Sequence, residues 1–251
     1  MPLQAAESRK SFSTRPIALR YHLYSVYLTC ASNIWDVILP GVLFGALNAF
    51  IAPRFSMGPS LTIREVLRST PSMFIWSSSN LFLFSLHNQR QPETIAEDAL
   101  NKPWRPIPAG RFTAEQAKYA LYFTHPFCLV IASTMGGLVP YSILTIFHVW
   151  YNEFGGASNG ILKNIINAVG IACFLAGPLE VVTGHSVLAG KREAAMWLIL
   201  LMGAFATTSH TQDFRDVDGD RAAGRQTLPL VIGNLPARVL TVLVSEGSVS
   251  P

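Results

Sequence analysis

Residues 209–225 read Ser209-His210-Thr211-Gln212-Asp213-Phe214-Arg215-Asp216-Val217-Asp218-Gly219-Asp220-Arg221-Ala222-Ala223-Gly224-Arg225. Four aspartates fall within eight residues, and three arginines sit among or just behind them. On a helix, Asp213, Asp216 and Asp220 keep an i, i+3, i+7 spacing and share one face, which Asp218 leaves. Carboxylates held that close repel one another unless a cation or water screens them. The cluster follows directly on the apolar run Met196–Thr208, so it stands where a hydrophobic helix ends.

The rest of the chain says what kind of helix that is. Half of the 251 residues are apolar and only 14% are charged, with a mean hydropathy of +0.33. Soluble domains carry about a quarter charged residues, so the composition points to an integral membrane protein. The net charge is +4, but the basic residues cluster between apolar runs, as in cytoplasmic loops, and no nucleic-acid partner is expected. Cys30, Cys128 and Cys173 lie inside apolar segments and read as small buried hydrophobes, neither disulfide nor zinc ligands. The basic N-terminus is followed by no short apolar region with a small-residue cleavage site, so no cleaved signal peptide is expected.

Hydropathy divides the chain into a cytoplasmic segment, residues 1–22, an all-α transmembrane domain, residues 23–244, and a polar tail, residues 245–251. Spans are expected at Leu23–Ala52, Pro71–Leu86, Ala114–Thr134, Leu138–Trp150, Ile161–Val182 and Ala194–Thr208, with room for a seventh in Thr227–Val244. A short amphipathic stretch, Ser60–Arg68, precedes the second. Asp36 and Pro40 interrupt the first, and an acid at that depth is either functional or bonded to a neighbouring helix. With the N-terminus in the cytoplasm, thirteen Lys and Arg fall on that side and five on the other, in agreement with the positive-inside rule. The second and sixth spans end alike, in Ser85-Leu86-His87-Asn88-Gln89 and Thr208-Ser209-His210-Thr211-Gln212-Asp213, four spans apart. Direct repeats of four helices would bring their two polar loops together.

The earlier loop runs from His87 to Thr113 and holds amides (Asn88, Gln89), then adjacent acids (Glu97, Asp98), then a basic, proline-rich run (Lys102-Pro103-Trp104-Arg105-Pro106). Acids and amides at the mouth of a helical bundle suit Mg²⁺, a hard cation that takes carboxylates, water and substrate phosphates. Lysine and arginine complement the remaining charge of a diphosphate. An apolar chamber beneath would take a hydrocarbon tail, and a prenyl diphosphate has that polarity.

These motifs resemble those of the UbiA superfamily of intramembrane prenyltransferases. The second family signature, Asp-x-x-Asp-x-x-Gly-Asp, matches Asp213, Asp216, Gly219 and Asp220. The first is matched at its start by Asn88-Gln89 and at its Arg-Pro-x-x-x-Gly tail by Arg105-Pro106 through Gly110. Its middle departs, because no Asp stands three residues after Gln89 and the acids come late, at Glu97-Asp98. That variant looks most like fungal membrane-bound terpene cyclases of the UbiA type. The resemblance covers about Leu23–Gly233. It implies a nine-helix bundle around a central cavity, of which this chain, ending near the seventh helix, would lack the last part.

The resemblance also implies roles. Asn88, Glu97, Asp98, Asp213, Asp216 and Asp220 would hold Mg²⁺, with Asp98 and the three aspartates of the second motif catalytic. Lys102, Arg105, Arg221 and Arg225 would grip the diphosphate. Lys163, at the start of the fifth span, either reaches it too or snorkels to the interface. Phe82, Phe84, Tyr122 and Phe123 are candidates to face a carbocation, though packing or lipid contact is the commoner role for any one of them. His87 and His210 read as hydrogen-bonded helix-end histidines rather than proton carriers, and Asp218 as a loop acid.

The implied reaction is Mg²⁺-dependent ionisation of farnesyl or geranylgeranyl diphosphate followed by cyclisation to a terpene. The alternative is transfer of the prenyl group to an aromatic acceptor. A CDP-alcohol phosphotransferase would need a downstream Asp pair that is absent, and a cation transporter would place its acids mid-span. The expected setting is a multi-pass position in an endomembrane, the endoplasmic reticulum of a eukaryote, with no obligate protein partner.

Overall fold

The computed structural model describes residues 19–156, 158–189, 192–222, 224 and 226–247, without the side chains of Gln212, Arg215, Asp216, Ala222 and residues 244–247. Among them there is no strand, only helices joined by short turns. Residues 1–18 of the N-terminal segment and 248–251 of the tail lie outside the described residues.

Helices α1 (Leu19–Cys30) and α2 (Leu39–Ala49) form one apolar passage, broken by a 3₁₀ turn at Ala31–Asn33 and a π turn at Ile34–Ile38. Pro40 has no N–H to offer the carbonyl of residue 36, so one rung of the regular ladder is missing at this point. The break turns Ser32, Asn33 and Asp36 toward the centre of the bundle.

Helix α3 (Ile63–Gln89) begins at a capping box, in which the Thr62 N–H donates to Glu65 Oε2 at 2.7 Å and the Glu65 N–H to Thr62 Oγ1 at 3.4 Å. It runs through Pro71. The amphipathic stretch and second span expected as separate elements are therefore one helix, because the cap at Thr62 is the stronger start signal. A second capping box, Thr113 with Gln116, starts α5 (Ala114–Met135). Gly136 and Gly137, at φ +100° and +79°, then break it from α6 (Leu138–Glu153) as the paired glycines lead one to expect.

Between α3 and α5 the loop contains a helix, α4 (Pro92–Asn101), with proline in its first turn. Helix α7 (Gly160–Thr183) is capped by the Asn159 side chain, which accepts from the N–H groups of Ile161 and Leu162. Next come α8 (Glu193–Thr208), a 3₁₀ turn at Ser209–Gln212 and α9 (Asp213–Ala222), the helix that the aspartate spacing calls for. The seventh span expected in Thr227–Val244 is split into α10 (Leu228–Ile232) and α11 (Asn234–Gly247). Gly233, at φ +91°, makes the break.

Helix α7 is the axis of the molecule and packs against α2, α3, α6 and α8. Two glycines bring α2 up to it: a Cβ on Gly41 would lie 2.4 Å from the Phe174 carbonyl oxygen, and one on Gly45 2.9 Å from the Pro178 carbonyl carbon. Trp76 of α3, fully buried, lies against Gly177 on another side of the same helix. Close backbone approach through small residues is how helices gain packing energy where hydrophobic driving force is weak.

Among the described residues, three helical stretches are long and apolar enough to cross a membrane: 19–49, 160–183 and 193–211. At 27 residues, or about 40 Å, α3 has the length but not the hydropathy. Its Ser77, Ser79, Asn80, Ser85, His87 and Gln89 are all buried in the bundle instead of facing outward.

Candidate active site

A cavity of about 520 Å³ opens at one end of the bundle. Helix α7 supplies one wall at helical spacing, with Lys163, Ile166, Asn167, Gly170, Ile171 and Phe174 along a single stripe. Leu81, Phe84 and Asn88 of α3 face it, and Phe147, His148 and Tyr151 come from α6. The mouth is closed by the two short polar helices. Helix α4 presents Thr94, Glu97 and Asn101, and α9 presents Asp213 and Asp220. The first set follows an i, i+3, i+7 register and the second its i and i+7 positions, and the two helices pack directly on each other. Gly219 makes that contact possible, since a Cβ there would sit 2.2 Å from Asn101 Nδ2 and 2.8 Å from Glu97 Cγ.

The charges at the mouth are arranged in pairs. Arg105 donates from Nη1 to both carboxylate oxygens of Asp98, at 2.8 and 2.9 Å, and from Nη2 to Ser32 Oγ at 2.8 Å. Asp98 is fully buried and does not line the cavity, whereas Arg105 does. Both carboxylate oxygens of Asp98 are thus turned to Arg105 and away from the cavity. Lys163 Nζ donates to Asp213 Oδ1 at 2.7 Å with both side chains buried, so this lysine turns inward and does not snorkel. Burial pushes the Asp213 carboxyl above the usual range. Lys163 pulls the other way, and Asp220 adds to the rise.

Of the anticipated residues, Asn88, Glu97, Lys102, Arg105, Lys163, Asp213 and Asp220 line this one cavity. Asp216 lies on α9, but its side chain is outside the described residues, as is Arg225 altogether. Arg221 is on the outer face of α9, where Nη1 donates to Asp218 at 3.1 Å with both side chains largely exposed. Of the four aromatics, Phe84 lines the cavity and Phe82 is partly buried against the core, while Tyr122 and Phe123 point outward, 66% and 77% exposed. Asp36 reaches the cavity from the π turn.

The helix-end histidines are both hydrogen-bonded. His210 Nε2 meets Thr241 Oγ1 at 2.7 Å. His87 Nδ1 lies 2.9 Å from Glu153 Oε1 and its Nε2 2.9 Å from His125 Nε2, and Arg90 also pairs with Glu153. Burial holds the His87 imidazole below its ordinary pKa, although Glu153 draws it upward. Burial opposes ionisation of Glu153, but hydrogen bonds from His87 and Arg90 prevail and keep its carboxyl below the usual range. A neutral His87 that donates from Nδ1 accepts at Nε2 from His125.

Sequence reasoning passed over Thr94, Asn101, Asn167, His148 and Tyr151. The register of α4 would have found the first two, had the loop been read as a helix; for the others an apolar context gives no such signal.

The oxygen-rich mouth fits a magnesium ion. Among the described residues no three acidic, histidine or cysteine side chains converge closely enough to cage an ion by themselves. Asn88, Glu97, Asp213 and Asp220 instead offer hard oxygen donors around a shared space. That is the pattern for an ion that keeps several waters and shares substrate phosphates.

Comparison with known proteins identifies relatives of the chain. The UbiA prenyltransferase family matches residues 94–248. The chain is 35% identical over 189 residues to the fumagillin beta-trans-bergamotene synthase of Aspergillus fumigatus, covering 72% of this chain and 63% of that protein. It therefore spans less than two thirds of that relative's length. It is 29% identical over 231 residues to the polyprenyl transferase eriF of Hericium erinaceus, covering 89% and 74%. In fold it is similar to a UbiA homolog from Archaeoglobus fulgidus solved with GPP and Mg²⁺, at a TM-score of 0.63 and 15% identity over 89% of this chain and 75% of that one. By sequence and by fold, the chain belongs to the UbiA prenyltransferase family.

Proposed function

We propose that the chain ionises a prenyl diphosphate, farnesyl or geranylgeranyl, within the membrane and cyclises the allylic cation to a terpene. The observation that carries this reading is the polarity gradient of one cavity. Its mouth joins Glu97, Asp213 and Asp220 to Lys102, Arg105 and Lys163, and its depth is lined by Leu81, Phe84, Ile166 and Phe174. A volume of about 520 Å³ falls in the usual range of small-molecule sites. The name of the bergamotene synthase and the ligands of the Archaeoglobus structure point the same way.

Asn88, Glu97, Asp213 and Asp220, with Asp216 by its position in the motif, would hold Mg²⁺ and so supply charge stabilisation for the departing diphosphate. Lys102, Arg105 and Lys163 meet the charge that grows on the diphosphate as the C–O bond breaks. Arg105 is held in place for this by Asp98 and Ser32. The apolar depth excludes water, which would otherwise capture the cation. Phe84, Phe147 and Tyr151 present aromatic faces to it. The expected setting is a multi-pass position in an endomembrane, with the mouth toward the basic, cytoplasmic side.

Transfer of the same cation to an aromatic acceptor is the second reading, favoured by the match to a polyprenyl transferase along 89% of the chain. One experiment separates the two. Membranes from an expressing host are incubated with farnesyl or geranylgeranyl diphosphate and Mg²⁺, with and without phenolic acceptors, and extracts are analysed by gas chromatography–mass spectrometry. A cyclic hydrocarbon formed without acceptor is the expected result. A prenylated arene formed only with acceptor replaces cyclisation by transfer. Neither product, with no diphosphate released, overturns both.

A further inference from the structure

Ionisation and cyclisation leave one chemical task without a residue. A carbocation becomes an alkene only when a proton leaves the neighbouring carbon, and a prenylated arene likewise forms only when the attacked ring loses its proton. In a cavity closed to water, a side chain with a free lone pair is the natural acceptor. The acids at the mouth are poorly placed for this, since Glu97, Asp213 and Asp220 are those that would hold Mg²⁺ and Asp213 is engaged by Lys163 as well, while Asp98, behind the cavity wall, is engaged by Arg105. His87 and His125 are engaged as well, with each other and, through His87, with Glu153.

His148 differs from all of these. It lies on α6 three residues before Tyr151, is 5% exposed and forms part of the cavity wall. Its Nδ1 is buried without a hydrogen-bond partner among the described residues. An imidazole buried in a bundle ordinarily satisfies its nitrogens within the fold; this one does not. Its ring centroid is 4.8 Å from that of Phe84, whose own centroid is 6.0 Å from that of Tyr151 with the rings tilted. The aromatic faces that would attract a cation therefore adjoin an uncommitted base. Asn152 steadies the position by donating to the His148 carbonyl at 2.8 Å while accepting from Asn88 at 3.2 Å, which ties this helix to the mouth.

We propose that His148 is the base that takes the terminating proton. This rests on the ionisation proposed above and holds for either fate of the cation. The C–H bond beside the cationic carbon breaks, its electron pair becomes the new C=C bond, and the proton adds to the unprotonated ring nitrogen of His148. The imidazolium returns the proton to the diphosphate released in the first step, which restores the neutral ring.

The test measures two quantities on the same samples, diphosphate released and organic product formed, for the parent, His148→Gln and His148→Phe. Glutamine keeps the polarity and approximate size of the side chain but is not a base, and thermal melting in detergent checks that each variant is folded. The expected result is continued diphosphate release with alkene, or prenylated arene, per diphosphate reduced about tenfold or more and replaced by alcohols and rearranged products. An unchanged product ratio and product identity in the folded variants overturns the proposal. So does a parallel collapse of diphosphate release and product in folded His148→Gln, which would assign the residue to ionisation. Should the phenylalanine variant not fold, glutamine alone decides. A parent that releases no diphosphate fails at the earlier step and removes the ionisation reading, and this one with it.

Discussion

Lys163 and Asp213 lie 2.7 Å apart with side chains 11% and 5% exposed. Desolvation cancels much of the attraction in such a pair, so its value lies less in stability than in holding two charges at fixed places. His87 acts on stability more visibly. Burial keeps its folded-state pKa below the ordinary value of about 6.5. The unfolded chain therefore takes up the proton first as pH falls. Stability should be complete above about pH 6.5 and decline as pH drops from there through the lower folded value. Glu153, held below its ordinary value, adds a loss in the same direction at still lower pH. Melting in detergent between about pH 8 and 5 is the measurement, with His87→Gln flattening the upper part of the slope. A parent curve that is flat or rises on acidification would sink the assignment. The charged members of the site were legible from sequence because charges are scarce in an apolar chain, and Glu97, Lys102, Arg105, Asp213 and Asp220 stood in recognisable spacing. Their pairings were not: that Asp98 serves Arg105, and that Arg221 turns outward to Asp218, depends on helix faces. His148, an imidazole inside a hydrophobic run, carries no mark in the sequence at all.

The contact of α4 with α9 is where helix chemistry and site geometry conflict most directly. Alanine favours a helix interior over glycine by about 1 kcal/mol, so local propensity alone would make Gly219→Ala stabilising. The added Cβ would nevertheless fall 2.2 Å from Asn101 Nδ2 and 2.8 Å from Glu97 Cγ. Relief requires the Asn101 and Glu97 side chains to turn aside, and both line the mouth; misplacement by about an ångström costs on the order of a hundredfold in rate. Gly219→Ala should therefore melt close to the parent temperature while losing most diphosphate release; parental turnover would show that the mouth tolerates displaced Asn101 and Glu97 side chains. The long apolar helices were readable from hydropathy, and α9 from its aspartate spacing. Helix α4 escaped because its buried face is Thr94, Glu97 and Asp98, so no apolar periodicity marks it. The start of α3 was misplaced for a related reason, proline at position 71 being a louder signal than the cap eight residues or so before it.

On the scale of the whole molecule, the mouth joins parts of the chain far apart in sequence, α4 from the first half and α9 from the second. A ligand held by both should act as a staple. Mg²⁺ together with a non-hydrolysable prenyl thiodiphosphate should raise the melting temperature, by an amount corresponding to about 2.7 kcal/mol at a hundred times its dissociation constant. Either component alone should do much less, and equal shifts from the lipid-like tail alone would refute a metal–diphosphate mouth. The glycine contact between α2 and α7 carries a different consequence, for biogenesis. The carbonyls that Gly41 and Gly45 touch belong to Phe174 and Pro178, which emerge from the ribosome long after α2. At about 5–20 residues per second the delay is roughly seven to twenty-seven seconds. Throughout it, the small-residue side of α2 is bare within the bilayer. A nascent chain interrupted before α7 keeps that side open to any other helix with a matching groove, so protection against mispairing begins only when α7 has docked.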